Sequence, residues 1–283
     1  MRNGPKTAAM GDAWDGRTQG SSTKRLVEAA ERFLRARKDD ALGLAPARLL
    51  PRRRAEAWLL FWCAARRVDD AFEAEGADLA SWRSALRDRT TSNFAERCVD
   101  AFLGHPAIDD PARVRRLLQR GLNGLEGEER FRSPRPMIEY LALLEYKSVP
   151  AMQILDSLLF PGESTRLVDK HANLFAVSAQ LGDDCRDVHA DRARGRIFVT
   201  QEELRERPLA AYVRSAEFAA GRNAMCARFL AEADQVALRF AGAPNRRRAA
   251  ALSGIWSHAL RTGQVRPTRS PLRLPSPKRL RAA

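Results

Sequence analysis

The chain has 283 residues, of which 45% are apolar and 30% are charged, and Lys plus Arg exceed Asp plus Glu by 14. This composition is sufficient for one large domain with a buried core, and it excludes a chain that is disordered throughout. The longest unbroken apolar run, residues 57–65, is about half the roughly 20 residues that a membrane-spanning helix needs. The N-terminal residues lack the apolar stretch of a signal peptide, so the sequence predicts a cytoplasmic protein.

Apolar residues recur at helical spacing along nearly the whole chain, and stretches rich in Gly and Pro separate the periodic segments. Residues 1–22 are rich in Gly, Ser and Thr without periodicity, which predicts a disordered leader. The periodicity predicts helices over residues 24–38, 51–75, 78–103, 111–129, 136–160, 163–192, 208–241 and 246–262. The sequence therefore predicts one all-α domain over residues 23–262, followed by a basic, Pro-rich tail over residues 263–283.

The C-terminal end of the chain is strongly basic. From Arg261 onward it carries seven basic residues and no acidic one. Such a tail either makes peripheral contact with an anionic membrane or another polyanion, or is a solvated segment without a partner. Because aromatic residues do not alternate with the basic ones, the sequence predicts no nucleic-acid partner.

The first acidic cluster directly follows the apolar run and consists of Asp69, Asp70 and Glu73. Asp69 and Glu73 are four residues apart, so they project from one face of a helix, about 6 Å apart along its axis. Like charges at this spacing repel each other and destabilise the helix slightly. A cation between the carboxylates would remove that penalty.

The second acidic cluster contains Asp183, Asp187 and Asp191, which recur at intervals of four residues and form one stripe along a helix. Hard oxygen ligands of this kind suit Mg²⁺, which carboxylates and substrate phosphates commonly hold together. Arg194 and Arg196 follow shortly afterwards, and guanidinium groups are natural partners of phosphate oxygens.

Each cluster taken alone is also compatible with a solvated helix face whose carboxylates pair with neighbouring arginines. Two clusters that each follow an apolar stretch favour another interpretation, because carboxylates that face each other need a counter-ion. We therefore interpret the clusters as two sides of a site for a metal-bound diphosphate.

The residues around both clusters resemble the squalene and phytoene synthases, the head-to-head branch of the trans-isoprenyl diphosphate synthases. Residues 49–54 and 61–70 read LLPRRR and FWCAARRVDD, similar to the family's LLP…YAFCRxxDDxxD signature. Residues 180–198 read QLGDDCRDVHADRARGRIF, similar to its QLTNxLRDxxEDxxRGRxY signature. Tyr140 falls where the family has a pocket tyrosine.

The resemblance implies an all-α isoprenoid-synthase fold, a single-domain helical bundle around a central cavity. It implies Mg²⁺, or Mn²⁺ in its place, held against the diphosphate of a prenyl substrate by six catalytic acidic residues: Asp69, Asp70, Glu73, Asp183, Asp187 and Asp191. It further implies a catalytic role for Tyr140 and phosphate contacts from four arginines: Arg66, Arg186, Arg194 and Arg196.

The implied reaction is the head-to-head condensation of two farnesyl or geranylgeranyl diphosphates to a squalene- or phytoene-type product, as in carotenoid or hopanoid biosynthesis. The sequence contains no GxGxxG fingerprint, so any nicotinamide cofactor would bind without one and the use of NADPH stays open.

The largest departure from the family follows Tyr140, where the family has a small-residue VAGxVG segment and this chain has Glu145 and Tyr146. Either the helix is rotated so that these side chains point away from the cavity, or the cavity is shortened and holds one prenyl chain. A shortened cavity favours a class I terpene synthase that cyclises one prenyl diphosphate. An inactive member that serves in assembly is the third interpretation, which the presence of all six carboxylates disfavours.

Overall fold

The structure, a computed structural model, describes residues 19–37, 43–75, 79–88 and 93–262, without the side chains of residues 19–22, 73–75 and 262. Within this part the chain forms these α-helices: α1 (Gln19–Ala36), α2 (Ala45–Ala47), α3 (Arg52–Glu75), α4 (Ala80–Asp88), α5 (Phe94–Leu103), α6 (Pro111–Gly127), α7 (Met137–Lys147), α8 (Val149–Leu159), α9 (Thr165–Ala193), α10 (Gln201–Leu204), α11 (Leu209–Tyr212), α12 (Ala216–Ala237) and α13 (Ala243–Thr262). A 3₁₀ turn (Glu128–Arg130) follows α6. These residues form no β-strand, so the predicted all-α class is confirmed.

Three predicted helices are each divided into two in the structure. The predicted helix over 136–160 becomes α7 and α8, because Pro150 has no N–H with which to continue the helical hydrogen bonds. α5 begins as a separate helix after Asn93, whose side chain accepts the Glu96 N–H at 2.9 Å. α12 begins after Ser215, whose hydroxyl accepts the Phe218 N–H at 3.2 Å.

The helical domain begins earlier in the structure than the sequence predicts. α1 begins at Gln19, so residues 19–22 belong to a helix and not to the predicted disordered leader. Residues 1–18 and the basic tail over 263–283 lie outside the described residues. Among the helices that the structure describes, none combines the length and the apolar character that crossing a membrane requires.

α3 carries the first acidic cluster at the end of a buried stretch. Residues 57–64 are all buried, and α1, α5 and α8 pack around this helix. Trp58 is fully buried, and its indole N–H donates to the Gly43 carbonyl at 2.8 Å, which satisfies the polar atom of that side chain. The acidic residues that follow are therefore attached to a helix that packing holds rigidly in place.

α9 carries the second acidic cluster and packs against α7, α8 and α12. Directly before this cluster, Gly182 allows α13 to come close. A Cβ at this position would lie 2.5 Å from Leu260 Cδ2 and 3.1 Å from Trp256 Cζ2. The Ser178 hydroxyl donates to the Cys226 carbonyl of α12 at 2.9 Å. Packing on two sides thus fixes the helix where the carboxylate stripe begins.

α6 and the end of α7 approach each other closely at Gly124. A Cβ at Gly124 would lie 2.3 Å from the backbone nitrogen of Lys147 and 2.4 Å from its Cα. Gly121, one turn earlier on the same helix, faces open space, with no atom within 4 Å of a Cβ at its position. Gly124 therefore determines how close Lys147 lies to α6, whereas Gly121 has no such constraint.

We expect Gly124→Ala to destabilise the fold and Gly121→Ala to stabilise it. The methyl group at position 124 meets backbone atoms that move only if the helices separate, which costs about 1–3 kcal/mol. At position 121 the same change meets nothing and removes the helix penalty of glycine, a gain of about 0.5–1 kcal/mol. Chemical denaturation followed by circular dichroism measures both effects. Equal changes in the free energy of unfolding would contradict the close approach at Gly124.

Candidate active site

A cavity of about 790 Å³ lies between α3, α6, α8 and α9, within the roughly 300–1,000 Å³ typical of small-molecule sites. Part of its wall is apolar and buried, and this part includes Trp62, Trp82, Leu86, Val99, Leu117, Leu122, Met152 and Ile154. The rest of its wall carries acidic and basic side chains from both sequence motifs. The cavity therefore suits a ligand with one apolar and one charged part.

α3 contributes Asp69 and Asp70 to the cavity, and both side chains are half-buried. Arg66 donates to Asp69 at 2.9 Å, and Arg37 donates to Asp70 at 2.5 Å. The side chain of Glu73, the third predicted carboxylate of this cluster, lies outside the described residues. The two described carboxylates of this cluster thus face the cavity, each paired with an arginine.

α9 contributes Asp183, Asp187 and Asp191 to the same cavity. Arg186 donates to Asp183 at 2.5 Å. Burial raises the pKa of Asp187 and the neighbouring Asp183 carboxylate raises it further, whereas nearby arginines, among them Arg66 of α3, lower it. Because Arg66 belongs to the other helix, the structure brings the two predicted clusters together around one space.

Arg194 and Arg196 also line the cavity, on either side of Gly195. Gly195 has a φ of +77°, a left-handed conformation that other residues rarely adopt. This turn reverses the chain after α9 and lets the Arg196 N–H donate to the Asp191 carbonyl at 2.8 Å. The Arg196 guanidinium is buried and lies 3.2 Å from Glu128. The cavity is therefore lined by all four predicted arginines: Arg66, Arg186, Arg194 and Arg196.

Tyr140 is fully buried and is not among the residues that line the cavity. Its hydroxyl donates to Asp184 at 2.5 Å. The Gln180 amide also donates to Asp184 at 2.6 Å, and Gln180 accepts the Ser148 hydroxyl at 2.6 Å. Burial raises the pKa of Asp184 to about 6, although the Lys147 ammonium opposes this shift. Tyr140 therefore contacts the cavity wall through Asp184, which does line the cavity.

Arg222 of α12 lies next to Tyr140, with 3.5 Å between its guanidinium and the tyrosine hydroxyl, and it is almost completely buried. It donates to both carboxylate oxygens of Glu203, at 2.6 and 2.7 Å, and to the Phe198 carbonyl at 2.6 Å. A buried charge is tolerated only when it is paired and hydrogen-bonded. This pair ties α12 to the segment after α9, and so it holds Arg194 and Arg196 in place.

The segment that departs most from the family points its bulky side chains away from the cavity. Glu145 and Tyr146 are exposed, and the Tyr146 ring lies 5.5 Å from the guanidinium carbon of Arg120. Lys147 and Ser148, the next two residues, line the cavity instead. Of the two expectations for this helix, the orientation that keeps Glu145 and Tyr146 outside is the one found.

The described side chains contain no ready-made group of three or more His, Cys, Asp or Glu residues that would hold a metal ion. The donors nevertheless fit Mg²⁺ or Mn²⁺ by their chemistry, because carboxylates of two helices line one space. Arginines pair with Asp69, Asp70 and Asp183. A metal would bind to these carboxylates only when the guanidinium groups move away and pair with another anion. The metal site stays a prediction.

Comparison with solved structures identifies the fold. A dehydrosqualene synthase in complex with ligand matches with a TM-score of 0.65 and 16% sequence identity, over 85% of this chain and 87% of that one. Squalene synthase HpnC from Alicyclobacillus acidocaldarius matches with a TM-score of 0.64 and 14% identity, over 85% of this chain and 94% of that one. The chain has the fold of these synthases. No family model and no curated protein matches the sequence.

Several residues of this cavity were not predicted from the sequence, and the sequence patterns that could have indicated them differ in strength. Asp184 directly follows Asp183 in the sequence, but only Asp183 belongs to the stripe that was predicted to bind a metal ion. Lys147 is a charged residue directly after Glu145 and Tyr146, in the segment that differs most from the squalene and phytoene synthases. Glu128 gave no signal, because its partner Lys147 lies 19 residues away in another helix.

We expect Tyr140→Phe to weaken the fold more than it weakens catalysis. The substitution removes one donor to a buried carboxylate, which costs about 1–3 kcal/mol. A residue that takes part in proton transfer contributes about 10²–10⁴-fold to the rate, and Tyr140 should contribute less because it does not reach the cavity. Thermal denaturation and consumption of a prenyl diphosphate are measured on the same preparation. A folded variant whose rate falls more than a hundredfold would show that Tyr140 acts directly.

Proposed function

We propose that this protein is a metal-dependent prenyltransferase that condenses two prenyl diphosphates head to head and releases diphosphate. The observation that carries the proposal is the two-part cavity, with carboxylates and arginines of α3 and α9 on one part of its wall and apolar side chains on the other. A prenyl diphosphate has the same two parts, a highly charged head and an apolar tail. The shared fold with squalene and dehydrosqualene synthases supports the same class of reaction.

The cavity side chains suit ionisation of an allylic diphosphate. Mg²⁺ or Mn²⁺, when bound by the carboxylates, would neutralise the diphosphate and make it a better leaving group. The arginines would donate to phosphate oxygens and stabilise the negative charge that develops there. The apolar wall would exclude water, which would otherwise capture the carbocation. The double bond of the second prenyl diphosphate would then attack the cation, and loss of a proton would close a cyclopropane ring that still carries the second diphosphate. Departure of that diphosphate would allow rearrangement to a linear chain, whose cation would end as a polyene by loss of a proton or by accepting a hydride from NADPH.

A class I terpene synthase that cyclises one prenyl diphosphate is the second candidate function. It is favoured by the regular stripe of Asp183, Asp187 and Asp191 and by the entry of Lys147 into the cavity. The exposed positions of Glu145 and Tyr146 favour coupling, because neither side chain takes up space in the cavity. An assembly role without catalysis is disfavoured, because carboxylates of both motifs line one cavity.

The products separate these candidates. We expect the purified protein, incubated with Mg²⁺ and farnesyl or geranylgeranyl diphosphate with and without NADPH, to form a linear C30 or C40 hydrocarbon that mass spectrometry identifies. EDTA should abolish its formation, because the carboxylates alone repel the diphosphate. A cyclic C15 or C20 product would establish the terpene cyclase instead. Consumption of neither substrate would contradict both enzymatic candidates.

The same assay tests the two acidic clusters. Asp69→Asn and Asp187→Asn should each lower the rate at least about a hundredfold, since each removes a carboxylate that would hold the metal ion, and the charge of that ion would stabilise the leaving group. Asp109→Asn is the matched control, because Asp109 is exposed and does not line the cavity. Circular dichroism confirms that each variant is folded. Full activity in both cluster variants would remove the two-cluster mechanism.

We also propose that the basic tail over residues 263–283 docks the enzyme on the surface of an anionic membrane, where a polyene product would be delivered. The charge of the tail supports this proposal, because each basic residue near an anionic surface contributes about 1 kcal/mol. We expect the full chain to sediment with phosphatidylserine vesicles and a chain without the tail to remain in the supernatant. Neutral vesicles are the control, and sedimentation that is independent of the tail would contradict the proposal.

A further inference from the structure

Lys147 brings a positive charge into the cavity from a helix that carries neither acidic motif. It is the last residue of α7, and its side chain is only 19% exposed. Its ammonium pairs with Glu128 and lies 5.3 Å from the centre of the Phe198 ring. All three residues line the cavity, so the ammonium faces the same space as Arg186 of α9 and the two arginines that follow this helix.

α6 and the 3₁₀ turn that follows it fix the position of Lys147 in two ways. Gly124 lets the backbone of α6 contact the backbone of Lys147, where any side chain would clash. Glu128 lies four residues further along and holds the ammonium. Burial of a lysine costs stability through desolvation, which an aliphatic side chain of similar length would avoid. The close approach and the counter-charge together therefore indicate a position built for a cation.

Glu128 keeps a cationic partner when Lys147 turns away from it. Its second carboxylate oxygen lies 3.2 Å from the Arg196 guanidinium. Burial lowers the pKa of Lys147, but the carboxylates of Glu128, Asp184 and Asp69 raise this pKa by more than burial lowers it. The ammonium therefore stays charged in the cavity. Because a lysine has a flexible four-carbon stem, its ammonium can move from a carboxylate to a nearby phosphate.

We propose that Lys147 binds a phosphate oxygen of the substrate diphosphate, exchanging Glu128 for the phosphate while Arg196 remains beside Glu128. This assignment rests on the proposed function, because it takes a prenyl diphosphate as the ligand. It adds a phosphate contact that belongs to neither acidic motif and that comes from the wall formed by α6 and α7. Lys147 is then a substrate-binding residue that the resemblance did not indicate.

Binding of inorganic pyrophosphate to the full-length protein in the presence of Mg²⁺, measured by isothermal titration calorimetry, tests the assignment. We expect Lys147→Met to bind at least about tenfold more weakly than the wild type, because a hydrogen bond from a charged donor is lost. Lys147→Arg keeps the charge and should retain most of the affinity. Lys170→Met removes an exposed lysine of α9 and serves as the matched control. Equal affinities of the wild type and Lys147→Met, or no binding by the wild type, would overturn the assignment.

Glu128→Gln gives a second test with the opposite sign. Removal of the competing carboxylate frees Lys147, so pyrophosphate affinity should rise, and most of the gain should disappear in the Lys147→Met/Glu128→Gln double variant. If Lys147 serves only to neutralise Glu128, both single variants will lower the melting temperature and leave the affinity unchanged. The hydrocarbon assay is independent of these results. A protein that binds pyrophosphate through Lys147 but forms no hydrocarbon would refute the proposed function and retain the assignment.

Discussion

Carboxylates of two helices that face one cavity repel each other, and the whole site depends on how this repulsion is balanced. Coulomb energies grow as water is excluded, so half-buried carboxylates need partners far more than exposed ones do. The chain supplies a partner from its own basic residues in each cluster: Arg66 for Asp69, and Arg186 for Asp183. Guanidinium groups also bind phosphate, so the residues that balance the carboxylates are suited to receive a diphosphate.

This balance requires rigid helices, because a shift of about 1 Å at a charged group changes its interactions strongly. The structure provides rigidity through close packing and through buried ion pairs. Gly182 lets α13 pack against the start of the carboxylate stripe, and Gly124 lets α6 pack against Lys147. Arg222 and Glu203 anchor the segment that follows α9. Residues that do not line the cavity thus determine where its charged groups lie.

The sequence predicted the fold class and the pairing of the two clusters, because helical periodicity and spacing by four residues act locally. It did not predict that α7 ends at Lys147, since the periodicity continues through the break and only the missing N–H of Pro150 interrupts it. It also left open which face of α7 meets the cavity. That orientation depends on the contact with Gly124 and on the charge of Glu128, and no pattern within α7 contains either.

The division of the cavity wall into a charged and an apolar part also bears on the proposed ionisation of an allylic diphosphate. Arg66, Arg186, Lys147 and the arginines after α9 lie in the part that suits the diphosphate, where they would hold the negative charge of the leaving group. The apolar part instead contains the rings of Trp62 and Trp82, whose faces attract cations. Under the proposed function, a cation formed at the boundary would be drawn toward the aromatic rings, whereas the diphosphate would stay with the basic residues. This separation would slow recombination of the two ions, so that the double bond of a second prenyl diphosphate would have time to react.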